Sequence, residues 1–157
     1  MRRSDREQSL EFSLNLIDRC QHGTVAFATE DGAPYCIPLS LVRMGDKLYF
    51  HCAKEGHKTD LLRRDDRVCV TFVGADEPAF VAPAMYTTYF QSAVVMGRAA
   101  EVTDPGEKAE ALRALCRKLT PHDLGEGLEK AIEKSLAVTA VWRVSMDQVT
   151  GKAKLKK

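Results

Sequence analysis

The sequence has almost no net charge. Its 23 Lys and Arg residues face 22 Asp and Glu residues, so the formal net charge is +1. Nucleic-acid-binding domains usually carry a basic excess or a basic stripe, and this balance argues against that class. The one basic cluster is the C-terminal GKAKLKK, and we expect its residues 152–157 to form a solvated tail.

Long apolar runs and paired cysteines are missing too. No run approaches the roughly 20 apolar residues that cross a bilayer, and none follows the charged start MRRSDREQ as it would in a secretion signal. The five cysteines are an odd number without a CxxC pair, so neither a disulfide framework nor a structural zinc site is favoured. We therefore expect a cytoplasmic protein with reduced thiols and no membrane partner.

What is present is one domain of alternating strand and helix patterns. Hydrophobic residues make up 45% of the 157 residues, enough for a core. The patterns predict six strands at 24–29, 35–42, 47–52, 67–73, 90–102 and 138–146, and helices near 9–20, 56–66, from 105 onward and at 124–136. Gly23 is expected to end the first helix, Gly97 to form a bulge, and residues 74–89 to form a long loop. The fold class is therefore α+β, with helices around a mostly antiparallel sheet or barrel.

Two local patterns give sharper predictions. Asp104, Pro105 and Glu107 have the spacing of a helix capping box with proline at the first helical position. In the strand KLYFHC, the residues Leu48, Phe50 and Cys52 share one face, while Lys47, Tyr49 and His51 share the opposite face, which would meet a ligand or a partner.

The stretch HCAKEGHK at 51–58 concentrates reactive side chains. A metal site would need His51, Cys52 and His57 to converge, yet no metal-binding motif is present. A Cys52 nucleophile is also disfavoured, because Cys52 shares the apolar face of its strand. An anion site fits better, since Gly56, Lys58 and a helix start come together there. A solvated turn remains an open alternative.

The segments YCIPL, YFHCAKEGHK and, some thirty residues later, YTTYFQS and GRA resemble the FMN-binding split-barrel family related to pyridoxamine 5′-phosphate oxidase. Within that family the sequence is most similar to the nitroimidazole-resistance (Nim) branch. The resemblance covers about residues 2–151, and we take residues 1–151 as a single FMN-binding domain. It implies a six-stranded split β-barrel that pairs into a homodimer, with two FMN molecules bound between the subunits.

The resemblance also implies the residues that hold the cofactor. Lys58 would contact the FMN phosphate, with Lys54 or His57 in support. The flavin would be lined by Pro38, Leu39, Ser40, Phe50 and His51, by Gln91 and Ser92, and by Trp142 from the partner subunit. For Trp142 and His51, plain structural roles remain open from the residues alone.

Two functions follow from the resemblance. The first is an FMN-dependent oxidoreductase that reduces a small electron-poor acceptor, with a nitroaromatic as one candidate and His51 as the catalytic residue. The second is a non-catalytic module that binds flavin or haem. Vitamin B6 oxidation is not expected, because the chain lacks the oxidase's arginine-rich phosphate motif and its arginine-bearing C-terminal element.

Overall fold

The structure is a computed structural model that describes residues 2–156. Met1 and Lys157, the outer ends of the predicted domain and tail, lie outside the described residues. After a 3₁₀ turn at Ser4–Arg6 the strands are β1 (Glu7–Gln8), β2 (His22–Phe27), β3 (Tyr35–Ser40), β4 (Val42–Met44), β5 (Lys47–Ala53), β6 (Arg67–Val81), β7 (Met85–Glu101), β8 (Thr139–Ser145) and β9 (Gln148–Lys154). The helices are α1 (Leu10–Arg19), α2 (His57–Arg64), α3 (Pro105–Leu119) and α4 (Gly127–Leu136).

All the strand pairs are antiparallel, and together they form a split barrel. The order is β3-β2-β6-β7-β8-β5-β4, and β9 pairs with β7 and β1. The long strand β7 has two different partners along its length: residues 90–96 pair with β9, and residues 99–101 pair with β8. The predicted fold class is confirmed, with nine strands among the described residues where six were predicted.

The interior of the barrel is the main core. Alternate residues of the strands point inward and are fully buried, as the alternating pattern of β2 and β6 requires. Helix α1 covers one end of this core with Leu16 and Ile17, its buried stripe. The largest side chains of the core that are fully buried include Phe50, Phe72, Leu48, Val25, Val70, Val95 and Val144.

A second core lies outside the barrel, between β4, β5 and β8 and the helices α3 and α4. The predicted cap is confirmed, because the Asp104 side chain accepts a hydrogen bond from the Glu107 N–H and Pro105 begins α3. The capping box is only half formed, since the Glu107 carboxylate binds other partners instead of the Asp104 N–H. Tyr49 is only 5% exposed here, so the prediction that its strand face meets a ligand or a partner is wrong at this position. Its hydroxyl donates to Glu107 at 2.9 Å, and Arg143 donates to the same carboxylate.

Several boundaries differ from those predicted. Residues 74–89 are not a loop, because β6 and β7 continue as a two-stranded arm to a turn at residues 82–84. The register shifts between Val73 and Asp76, and not at Gly97. Helix α1 ends at Arg19, so Gly23 is part of β2 instead of a helix cap. Strand β9 was not predicted, and it takes residues 152–154 of the expected tail into the sheet.

Gly97 has a different reason to be glycine. A Cβ atom at this position would lie 1.7 Å from the backbone oxygen of Ser145. The two strands β7 and β8 cross there at a distance that leaves no room for a side chain.

Candidate functional site

The junction between β5 and α2 forms a cradle whose groups could hold an anion. Gly56 precedes α2 with φ at 133°, a conformation that favours glycine. No side chain caps the helix, and within residues 2–156 the backbone N–H groups of His57, Lys58 and Thr59 have no acceptor. Free N–H groups at the positive end of a helix dipole bind phosphate readily.

Lys58 adds a positive charge to this cradle. It is the second residue of α2 and half-buried. Its charge is close enough to His51 to help lower the pKa of that imidazole, although partial burial is the larger cause. Burial raises the pKa of the neighbouring Cys52 thiol, so Cys52 stays a neutral thiol as the sequence pattern indicated.

The cradle opens into a small cleft of about 190 Å³ between α2 and β3. Tyr35 and Ile37 of β3 form one wall, and Ala53 through Thr59 (without Lys54) form the other. The rings of Tyr35 and His57 meet edge to face, with centroids 4.8 Å apart. Sequence reasoning missed Tyr35 and Ile37, although both lie on the strand face shared with Leu39.

The three predicted residues of β3 divide between two faces. Leu39 packs against the barrel core, while Pro38 and Ser40 lie exposed on the outer face of the sheet. From Tyr35 at the cleft to Ser40, the strand runs roughly 17 Å at about 3.3 Å per residue. The predicted flavin-lining residues of β3 therefore extend along the sheet edge away from the anion cradle.

Phe50 and Trp142 belong to the barrel core. They are opposite each other on β5 and β8, with 0% and 3% of their surfaces exposed. The Trp142 indole N–H is buried without a hydrogen-bond partner in the described part of the chain. Trp142 is therefore packed in the core of its own chain. This is the structural role that the residues alone left open beside a cofactor contact.

Gln91 and Ser92 lie on β7, which does not flank the cradle. In the sheet order β7 is three strands from β3 and two strands from β5. Arg19 donates to the Gln91 side chain at 3.4 Å, and the Ser92 hydroxyl donates to the Lys152 carbonyl at 3.3 Å. The lining residues of the small cleft come from β3, β5, α2 and the turn between β5 and α2.

Lys54 and His51 also lie outside the lining of the small cleft. Lys54 lines a separate cleft of about 650 Å³ bordered by α3 and α4, and its backbone oxygen accepts a hydrogen bond from Arg63. His51 is exposed near the end of β5, on the face opposite Phe50. Of the two lysines predicted at the phosphate, only Lys58 is at the cradle.

The middle of the outer sheet face carries no charged residue, with Arg67 and Arg98 at one end of this face and Lys152 at the other. Successive rows across β3, β2, β6, β7 and β9 present Pro38, Thr24, Thr71, Val94 and Thr150, and beside them Cys36, Ala26, Cys69, Met96 and Gln148. Met96 is 47% exposed on this face and Val73, farther along β6, is 61% exposed. Depletion of charge over an exposed sheet face is typical of the core of a protein interface.

The chain belongs to the pyridoxamine 5′-phosphate oxidase family, whose sequence model matches residues 10–153. Its fold is similar to that of a protein assigned to 5-nitroimidazole antibiotic resistance from Bacteroides thetaiotaomicron, with a TM-score of 0.80 and 26% identity over 92% of this chain and 84% of the other. No curated protein of established function matches the sequence.

Two further solved structures share the fold. A flavocytochrome from Azotobacter vinelandii has a TM-score of 0.82 at 23% identity, over 99% of this chain and 72% of the other. The FAD- and haem-binding protein of Mycobacterium smegmatis has a TM-score of 0.80 at 21% identity, over 96% of this chain and 74% of the other. The predicted family is confirmed, and its structural neighbours include flavin-binding proteins.

No helix within residues 2–156 is long and apolar enough to cross a membrane. In the same range no group of three or more His, Cys, Asp or Glu side chains has the geometry of a metal site.

Proposed function

We propose that the protein binds a flavin through its phosphate-bearing mononucleotide half, FMN in the simplest case. The observation that carries the proposal is the start of α2, where three free N–H groups and Lys58 converge on one small cleft. These groups fit a phosphate, because backbone N–H groups and an ammonium are its usual partners at a helix N-terminus. The flavin-binding proteins among the structural neighbours support the same ligand class.

We also propose that the working form is a homodimer. In one chain Gln91 and Ser92 lie on β7 while the cradle lies between β3, β5 and α2, and the uncharged middle of the outer sheet face is exposed. Pairing two copies through this face would bury Val94 and Met96 and would give each cofactor a second wall. The five free cysteines are compatible with a reducing, cytoplasmic setting.

The proposed reaction is the reduction of a small electron-poor acceptor, with a nitroaromatic as the first candidate. When bound, the flavin supplies the electron-transfer chemistry. The chain orients the cofactor through Lys58 and the first turn of α2, and His51 supplies a proton to the acceptor. The pKa of His51 is lowered, so its proton-donating form is populated in mildly acidic solution and depleted at neutral pH.

Two measurements test the proposal. The absorbance spectrum of the purified protein, with and without added FMN, identifies flavin, haem or no chromophore. A stopped-flow measurement then compares reoxidation of the reduced holoprotein with and without a nitroaromatic under anaerobic conditions. Faster reoxidation with the acceptor supports an oxidoreductase, whereas bound flavin with no acceleration supports the non-catalytic module. Absence of flavin binding at millimolar FMN would overturn both.

A further inference from the structure

The cleft of about 650 Å³ beside α3 and α4 is separate from the anion cradle. It lies between the C-terminal end of α4, the residues that join β7 to α3, and the two side chains of Lys54 and Arg63. Within residues 2–156, none of its lining residues also lines the small cleft at Lys58. Its volume falls in the range of about 300–1,000 Å³ that is usual for small-molecule sites. The cleft therefore has room for a ligand of its own while the cradle holds a flavin.

The cleft has an apolar floor. Val102 is 4% exposed and Leu136 is half-buried, and both pack in the second core under α3 and α4. Pro105 and Ala137 are exposed lining residues beside them. Covering apolar surface of this kind is favourable, so the floor favours a ligand with an apolar body.

Three cations stand around this floor, namely Lys54, Arg63 and Lys108. The Arg63 guanidinium donates to the Lys54 carbonyl oxygen at 3.1 Å and to the Glu101 carboxylate at 3.3 Å. The Lys108 ammonium donates to the Leu136 carbonyl oxygen at 2.8 Å. An ammonium has three N–H groups, so Lys108 is held in place and still has donors for a ligand. Lys54 is exposed at the rim.

The charge of the lining limits the ligand to one negative group. Within the described part of the chain, the three cations share the lining with two carboxylates, Glu101 and Glu133. Glu101 is paired with Arg63, whereas Glu133 is exposed on α4 and would repel a second negative group. The charge left for a ligand is on the two ammonium groups. These bind as point charges, without the planar fork by which arginine grips a phosphate.

We propose that this cleft binds a monocarboxylic acid with an apolar aromatic or aliphatic body. The carboxylate lies between the ammonium groups of Lys54 and Lys108, and the body covers Val102 and Leu136. The site goes beyond the proposed flavin function and does not rest on it, because the two clefts are lined by different residues.

The test titrates the purified protein with 2-naphthoate and with 2-naphthamide, an uncharged molecule of nearly the same shape, and follows the backbone amide signals by nuclear magnetic resonance. We expect saturable shifts at Thr103 and Ala137, which line the cleft. Half-saturation by 2-naphthoate should come at about 1 mM or below, as is usual for a ligand of this size. The amide should bind at least about fivefold more weakly, because the ammonium groups do not attract it.

Variants locate the site. Lys54→Met and Lys108→Met should each weaken 2-naphthoate binding by about two- to fivefold and leave the binding of 2-naphthamide unchanged. Ala137→Trp fills the cleft from an exposed position and should remove the shifts for both molecules. Lys134→Met is the matched control, since Lys134 is also on α4 but outside the lining, and it should change neither affinity. Melting temperatures of the same samples show that each variant is folded.

Each remaining outcome decides the matter. No saturable shift up to about 10 mM 2-naphthoate would overturn the inference. Equal affinities for the acid and the amide would overturn the assignment of the ligand as an acid. Shifts that persist unchanged in both Ala137→Trp and Lys54→Met would place the probe elsewhere and overturn the site. Titration of the same samples with FMN tests the proposed function separately, and Lys54→Met should leave FMN affinity within about twofold.

Discussion

The rings of Tyr35 and His57 stand edge to face with their centroids 4.8 Å apart, and they tie the first residue of β3 to the first residue of α2. The contact sets the width of the anion cleft, because the two rings are on its opposite walls. It also joins the α2 N-terminus to the edge strand of the sheet beside the cleft.

The first prediction concerns the phosphate contact. Lys58→Ala should weaken FMN binding by about one to two orders of magnitude, since charge-assisted hydrogen bonds are worth roughly 1.5–3 kcal/mol. Fluorescence titration of the apoprotein measures the change. Lys54→Ala is the matched control, because Lys54 lines a different cleft and should leave affinity within about twofold. Equal losses in the two variants would show that only general charge attracts the ligand.

The second prediction concerns His51. His51→Ala should keep the fold and most of the flavin but slow acceptor reduction by at least about tenfold, a conservative share of what general acid catalysis contributes. Single-turnover reoxidation, flavin occupancy and melting temperature should be measured on the same preparation. If flavin and stability fall together while reoxidation of the remaining holoprotein is unchanged, His51 only supports the site.

The same residue gives the reaction a pH dependence. Burial and then Lys58 lower the pKa of His51 below its ordinary value of 6.5. The protonated donor therefore accumulates only as the pH falls below about 6.5. Reoxidation by the acceptor should accelerate over this acidic range in the unmodified protein, and His51→Ala should flatten the profile. A rate that rises with pH would assign the opposite role, that of a base.

The third prediction concerns assembly. Val94→Lys places a charge in the middle of the outer sheet face, and we expect it to convert the dimer to a monomer and to weaken flavin binding. Light scattering coupled to size exclusion measures the mass. Val138→Lys is the matched control, because Val138 is 67% exposed away from that face, next to the start of β8. An unmodified protein that is monomeric with full flavin occupancy would contradict the prediction.

The fourth prediction concerns the contact between β5 and α3. Glu107 accepts from Arg143 and Tyr49, and the hydrogen bond from Arg143 is the main reason that the pKa of Glu107 is lowered. Glu107→Gln should lower the free energy of unfolding at neutral pH by only about 0.5–1 kcal/mol, because the side chains of Glu107 and Arg143 are both partly exposed and solvent screens their attraction. The pKa of Glu107 is lower in the folded protein than in the unfolded chain, where it is about 4.5. The ionised carboxylate therefore stabilises the fold above pH 4.5, and this contribution is lost as the pH falls through the lower pKa of the folded protein. Urea unfolding should accordingly show the gap between wild type and variant closing below about pH 4.5, and a gap that does not depend on pH would contradict the ionic contribution.

The fifth prediction concerns Gly97. Gly97→Ala would force its new methyl group against the Ser145 carbonyl, and we expect a loss of at least about 2 kcal/mol because the strands must separate. Gly125→Ala is the control, since a Cβ atom there meets nothing within 4 Å. Thermal unfolding should lower the midpoint for the first variant and leave the second nearly unchanged. Equal midpoints would mean that β8 can move aside without cost.

Local sequence patterns predicted a structural feature correctly where the contacts that determine it join residues close along the chain. The cap at Asp104 is of this kind, because its partner is the Glu107 N–H three residues away. The start of α2 is another, since the helix begins directly after Gly56, as the local pattern predicted. Family-specific motifs then identified the split barrel, which periodicity alone left as a generic mostly antiparallel sheet.

Tertiary structure decided what depends on distant strands. Residues 74–89 have no steady period, yet they form the arm of β6 and β7 because each strand supplies the other's hydrogen bonds. Lys152 and Lys154 lie in β9 because β7 offers an edge to pair with, which no property of GKAKLKK reveals. Tyr49 is buried because α3 and α4, far along the chain, cover its face of β5. The sequence by itself determined the chemistry of the cradle, through Lys58 and the start of α2. Packing decided that Tyr35 forms a wall of the same cleft and that Lys54 lines another cleft. The reason is that neighbours across a sheet depend on strand register and not on distance along the sequence.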